Sequence, residues 1–201
     1  MTGISFRETM SGGFAMGATD PHAGEEQGDK AGTQLAMHGT ITVDDLDRFI
    51  KVQDHPGTLA GSIDFAPLGT GLPSTSGIFN LFSPTNDPKT KYMVYEMAFQ
   101  AQGQPYYFAG HKDVRNDRGV DFWHDVTTLY TQLHKGPDKS GPVIAAGTLT
   151  LTIRQLLKMA PTFHVSGAKS KKEEAAAMAR FGSFFLGELW DTYIMHRPGG
   201  H

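Results

Sequence analysis

The sequence contains no cysteine. Disulfides, zinc–thiolate sites and thiol nucleophiles are therefore excluded, and a cytoplasmic setting is the simplest expectation. An excess of one charge is also missing. Eighteen Lys and Arg face 21 Asp and Glu, for a net charge of −3, so nothing in the balance draws the chain to nucleic acid. No run approaches the roughly 18 consecutive apolar residues of a membrane helix, and no membrane span is expected. Met1 to Arg7 lacks the charged start and apolar stretch of a signal peptide.

Nucleotide and hydrolase fingerprints are absent too. Gly69-Thr70-Gly71-Leu72-Pro73 has neither the lysine nor the following helix of a phosphate-binding loop. Gly12-Gly13-Phe14-Ala15-Met16-Gly17 does not have dinucleotide-binding spacing, and no Gly-x-Ser-x-Gly elbow occurs. No cofactor is expected on these grounds.

What is present reads as one globular domain spanning residues 1–201. Hydrophobic residues make up 39% and charged residues 19%, a balance that supports a packed core. The 24 glycines and 11 prolines suit a fold with many turns. Apolar residues alternate with polar ones over Ile4–Met10, Leu35–Val43 and Leu59–Phe65. This period of two marks strands with one buried face. Lys91–Ala101, the turn Gln102-Gly103-Gln104, and Tyr106–Val114 form the clearest hairpin. Asp121–Leu133 and Val143–Leu151 read as further strands. Residues 12–33 and 68–76 read as surface loops, Asn116–Gly119 as a turn, and Gly136–Pro142 as a loop.

Helical signals are few. Asp44–Ile50 and Thr152–Met159 each suggest a short helix or turn. A long amphipathic helix is expected over 170–195, opened by a Ser170/Glu173 capping box and striped by Met178, Phe181, Phe185 and Leu189. The fold class is therefore mainly β: an antiparallel β-barrel with a C-terminal amphipathic α-helix. This layout resembles the calycin or lipocalin arrangement, although the Gly-x-Trp signature of secreted lipocalins is missing.

Two kinds of site are legible. Met93, Tyr95, Met97 and Phe99 fall on one strand face. With Phe108, Trp123 and Tyr130 they form the best candidate lining for an apolar ligand, and Tyr106 belongs to the same stripe. Plain core is the competing reading of those residues. Glu8 shares a strand face with Ile4, Phe6 and Met10, so a carboxylate inside the barrel would either have a raised pKa or pair with a cation, for which Arg7, Lys112 and Arg154 are available. Glu96 falls on the wetter face of its strand. Glu8, His111, Lys112 and Asp125 are the acid–base candidates. His111/Asp113 and His124/Asp125 lack the spaced third ligand of a zinc site, so no metal is expected. Asp44, Asp45 and Asp47 read as helix N-terminal charge rather than a calcium loop.

Three motifs carry a family resemblance. Phe6-Arg7-Glu8-Thr9-Met10-Ser11-Gly12 resembles the opening of a bacterial accessory domain found with cholesterol-oxidase-like (GMC-type) flavin oxidoreductases, in some chains beside an α/β-hydrolase module. Gly110-His111-Lys112 with Asp125-Val126-Thr127-Thr128-Leu129-Tyr130 resembles its central motifs, and Phe184 to Tyr193 its closing helix. The similarity runs from Phe6 to Tyr193. It implies company with enzymes acting on sterols or other lipids, and no flavin chemistry in this chain. Composition, pattern and resemblance together lead to a binding domain for a small apolar, lipid- or steroid-like ligand, accessory to an oxidoreductase. The alternatives are an isomerase, cyclase or hydrolase using polar barrel residues, and a protein-interaction module.

Overall fold

Among the described residues, eight antiparallel strands close into a ring because the first strand pairs on both edges. The structure is a computed structural model that describes residues 1–87, 89–115 and 122–193, with no side-chain description for 115, 122, 123 and 188–193. The barrel strands are β1 (Gly3–Met16), β2 (Gln34–Val43), β3 (Pro56–Phe65), β4 (Gly69–Pro84), β5 (Thr90–Ala101), β6 (Gln104–Arg115), β7 (Thr128–Lys135) and β8 (Val143–Thr150). They meander in chain order, and β8 returns to β1. Strand β1 pairs with β2 from Ile4↔Val43 to Gly13↔Gln34, and with β8 from Ser11↔Thr150 to Met16↔Ala145. A three-residue strand, β9 (His164–Ser166), takes the remaining end of that second edge, opposite Gly3–Ser5.

Period-two alternation decides which side chains enter the ring. Ile4, Phe6, Glu8 and Met10 of β1 are buried, as are Leu35, Met37 and Ile41 of β2 and Leu59, Ile63 and Phe65 of β3. Met93, Tyr95, Met97 and Phe99 of β5 point inward, as the hairpin pattern predicts, and Tyr106, Phe108, Lys112 and Val114 of β6 face them. One end of the barrel is filled by Phe14, Phe65, Met97, Phe108, Leu129 and Leu133. The hairpin turn sits at Gln102-Gly103, both with positive φ.

The helices described around the ring are α1 (Pro21–Ala31), α2 (Leu46–Lys51), α3 (Phe122–Thr127), α4 (Ile153–Met159) and α5 (Lys171–Tyr193). A 3₁₀ turn at Ala160–Thr162 follows α4. Where a short helix or turn is expected, near 44–50 and 152–159, α2 and α4 form, and the helix expected over 170–195 is α5, described from Lys171 to Tyr193. The Ser170 hydroxyl accepts from the Glu173 N–H at 3.2 Å, while the Glu173 carboxylate accepts from the Lys169 N–H, one residue before the expected partner.

The expected loop at 12–33 is wrong, because β1 continues to Met16 and most of the remainder is α1. Asp20 caps α1 through the Ala23 N–H at 2.9 Å, Pro21 occupies its first turn, and Gly32 ends it in the left-handed conformation. Its buried residues are Gly24 and Gly28, which leave no apolar stripe to read. A Cβ on Gly24 would stand 2.1 Å from the Ala146 carbonyl oxygen of β8, and one on Gly28 2.1 Å from the Phe14 nitrogen of β1. The helix thus lies with its backbone against the barrel wall.

The expected loop at 68–76 is instead the first half of β4. Register shifts in its pairing with β3 accommodate the glycines and prolines. The described part of the strand expected over Asp121–Leu133, from Phe122 on, divides into α3 and β7. The turn expected at Asn116–Gly119 lies outside the described residues.

Helix α5 crosses one mouth of the barrel on an aromatic seam. Phe181 lies 6.2 Å from Phe6, 6.1 Å from Phe49 and 6.0 Å from Phe163, centroid to centroid. Phe184 meets the edge of His55 at 4.7 Å, and Phe185 lies 5.6 Å from Phe82. Leu81 and Phe82 are both buried although adjacent, because β4 shifts register there and Phe82 adopts φ +55°. Arg180 pairs with Asp47 of α2 at the surface.

Gly24→Ala and Gly28→Ala should each cost at least about 1 kcal/mol despite better helix propensity, because the added methyl meets backbone. Gly187→Ala in α5, with open space around its Cβ, should instead stabilise by roughly 0.5–1 kcal/mol. Urea unfolding midpoints of the three variants test the contrast.

Candidate functional site

Below α5 the barrel is hollow. The cavity has a volume of about 400 Å³. Phe79, Leu81 and Met93 form part of its wall, Leu156, Met159 and Phe163 close one side, and Met178, Phe181, Gly182 and Phe185 of α5 form the roof. It lies where β1 and β8 part. Between Ser11, the last pair with β8, and Ser5, the first with β9, the second edge of β1 has no strand partner among the described residues. Helix α4 and the 3₁₀ turn fill that gap. The Thr162 hydroxyl accepts from the Arg7 N–H at 2.9 Å and donates to the Met159 carbonyl at 2.6 Å.

Three polar groups converge in this apolar space. Glu8 of β1 and Lys112 of β6 are 104 positions apart in the chain, yet Lys112 Nζ donates to Glu8 Oε1 at 3.2 Å. Their side chains are only 4% and 3% exposed. The Tyr95 hydroxyl donates to Glu8 Oε2 at 3.0 Å, and the Lys112 ammonium stands 4.9 Å from the centroid of the Tyr95 ring. Each carboxylate oxygen therefore has a donor. Burial, reinforced by the charge of Glu8 and its hydrogen bond, raises the Tyr95 hydroxyl well above the usual phenol range. Its proton is thus held for donation to Glu8 at neutral pH.

Of the residues expected to line a ligand site, Met93 and Tyr95 border the cavity. Met97, Phe99 and Phe108 are buried farther along the barrel and pack as core. Tyr130 stands on the outer wall, 5.1 Å from the ring of His22 and 6.0 Å from that of His111, with its hydroxyl 3.4 Å from His124 Nε2. The side chain of Trp123 lies outside the described residues.

The acid–base candidates also divide. Glu8 and Lys112 meet inside. His111 is one residue from Lys112 on the same strand and so projects outward, 45% exposed, with Nε2 3.4 Å from Asp113 Oδ1. Asp125 lies on α3 and is not among the cavity residues. Among the described residues no group of three or more His, Asp or Glu side chains is placed to hold a metal ion. Glu96 is on the outer face as its pattern indicated. It is nonetheless buried there, accepting from Tyr107 and Lys139, both at 2.5 Å.

Sequence reasoning missed a second constellation. Thr9 Oγ1 lies 3.1 Å from His38 Nδ1, and His38 Nε2 lies 3.1 Å from Asp64 Oδ2. The Gly71 N–H donates to Asp64 Oδ1 at 2.5 Å. These residues come from the outer faces of β1, β2 and β3, beside a polar groove bordered by Arg7, Thr40 and Lys158. No local motif could signal them, because cross-strand register assembles the chain. His38 and Asp64 are about 40% exposed, so solvent screens their attraction.

Comparison of the chain with protein-family models, curated proteins and solved structures returns no match.

Lys112→Met should cost about 3–5 kcal/mol, because it strands a buried carboxylate. The double variant Glu8→Gln/Lys112→Met keeps an acceptor for Tyr95 and should recover most of that loss, as read from urea unfolding. The outer pair gives a pH effect of known sign. The Gly71 N–H, followed by His38, holds the Asp64 carboxyl below its usual range. A depressed folded pKa stabilises above the unfolded carboxylate value of about 3.9 and loses that contribution as pH falls through the folded value. Asp64→Asn should therefore flatten the acid limb of a stability-versus-pH curve by a small amount.

Proposed function

We propose that this chain binds a small apolar molecule in the cavity beneath α5. The observation that carries the reading is a buried Glu8–Lys112–Tyr95 cluster bordering a hollow whose other walls are apolar apart from Thr127. A 400 Å³ space is within the range of ligand pockets, about 300–1,000 Å³, and a few convergent polar groups on apolar walls are what such pockets use to orient a ligand. A barrel of eight strands has room for one small ligand.

The three resembling motifs support the same place. Phe6 and Glu8 come from the opening motif, Lys112 and Thr127 from the central motifs, and Phe185 from the closing helix, and all five border the cavity. The resemblance makes lipid- or steroid-like molecules the first class to test, and an oxidoreductase the natural companion of the domain.

Gly182 offers a direct test. It lies in the roof, and a Cβ there meets open space. Gly182→Phe should plug the cavity while leaving α5 docked. Wild-type protein should take up a fluorescent sterol or a fluorescent fatty alcohol, and Gly182→Phe should weaken uptake at least about tenfold. Gly187→Phe, outside the lining, should bind as wild type does. Failure of the wild type to bind either probe, or indifference to the Gly182 plug, would overturn the reading.

A further inference from the structure

Building on that reading, we infer that the cavity selects apolar ligands ending in an uncharged oxygen, such as a ketone or alcohol, over the same chain ending in a carboxylate. Lys112 is the anchor and Glu8 sets the selection. An ammonium has three N–H donors. Glu8 takes one, and the Tyr95 ring lies against the group without accepting a conventional hydrogen bond. A donor is left for a ligand oxygen at a nitrogen that water scarcely reaches, since the Lys112 side chain is 3% exposed. Satisfying that donor is what a ligand oxygen would add to apolar burial.

Charge decides which oxygen fits. The Glu8–Lys112 pair is already neutral as a unit. A ketone or alcohol oxygen accepts from Lys112 and leaves the pair intact. A carboxylate would bring a second anion to the same ammonium, close to Glu8 and in a low-dielectric space where like charges repel strongly. It would have to displace Glu8 from Lys112 or be protonated on entry, and both weaken binding. Nothing else in the described lining offsets this. The remaining wall residues are apolar apart from Thr127 and Tyr95, and the Tyr95 hydrogen is given to Glu8. Removing the Glu8 charge should reverse the rule, because Lys112 would then be an unpaired cation in an apolar hollow.

Displacement of the fluorescent probe by 2-dodecanone, 1-dodecanol and dodecanoate, at about pH 8 where the acid is ionised, tests this on one chain length. In wild-type protein the ketone and alcohol should bind at least about tenfold tighter than the carboxylate. In Glu8→Gln, with folding checked by circular dichroism, the carboxylate should gain at least about tenfold relative to the ketone. Dodecanoate binding the wild type as tightly as the ketone would overturn the selection rule while leaving the binding reading intact, and that wild-type ranking holds even if Glu8→Gln does not fold. Binding of none of the three ligands, together with no probe uptake, would overturn both.

Discussion

Closure of the ring depends on β1 pairing along both edges, and the remaining features of the site follow from how that second edge is shared. A strand buried on one face still has to satisfy its backbone N–H and C=O groups on two sides. Strand β2 satisfies one side of β1 from Ile4 to Gly13. On the other side β8 serves the far end and β9 the near end, with Thr162 bridging at Arg7 between them. The opening at that interval is what allows α4 and α5, rather than another strand, to wall off the barrel mouth. The cavity is thus a product of incomplete strand pairing, walled by side chains.

The polar cluster inside that mouth has a definite energetic character. A buried ion pair gains little over apolar residues of the same size, since the desolvation of both charges consumes most of the attraction. Glu8, Lys112 and Tyr95 satisfy both carboxylate oxygens and leave the ammonium only partly used. The cluster therefore adds little net stability. Stability at this end comes from the aromatic seam of α5, where Phe181 sits among Phe6, Phe49 and Phe163. The side chains that hold α5 in place are consequently also those that roof the cavity.

Much of this architecture is legible in the sequence, for reasons that can be named. Strict alternation places Met93 to Phe99 and Ile4 to Met10 inside, and the same alternation by itself puts Glu8 in the interior. The stripe on α5 is equally plain. Helix α1 escapes because glycine makes its contact, and a helix face built of Gly24 and Gly28 has no hydrophobic period. Strand β4 escapes because its glycines and prolines, tolerated through bulges, imitate a loop. The meeting of Glu8 with Lys112 is available from the sequence only as one of several possible pairings. Which strands face each other across a ring is a long-range property, and the two residues stand on β1 and β6, which do not pair with each other in the meander. The placement of Tyr130 outside is lost with the division of its predicted strand into α3 and β7, which changes the phase of alternation.

Closure has one more consequence. In the ring, the long strands offer one another their backbone groups, so little of the sheet is left as a template for a foreign strand. Among the described residues the exceptions are short: three-residue β9, bound to β1 on one side, and the first half of β4, which β5 does not pair. Within the described barrel, an added strand would therefore find only short stretches of open backbone, and a broader contact would have to be made by side chains on the helices and the outer wall.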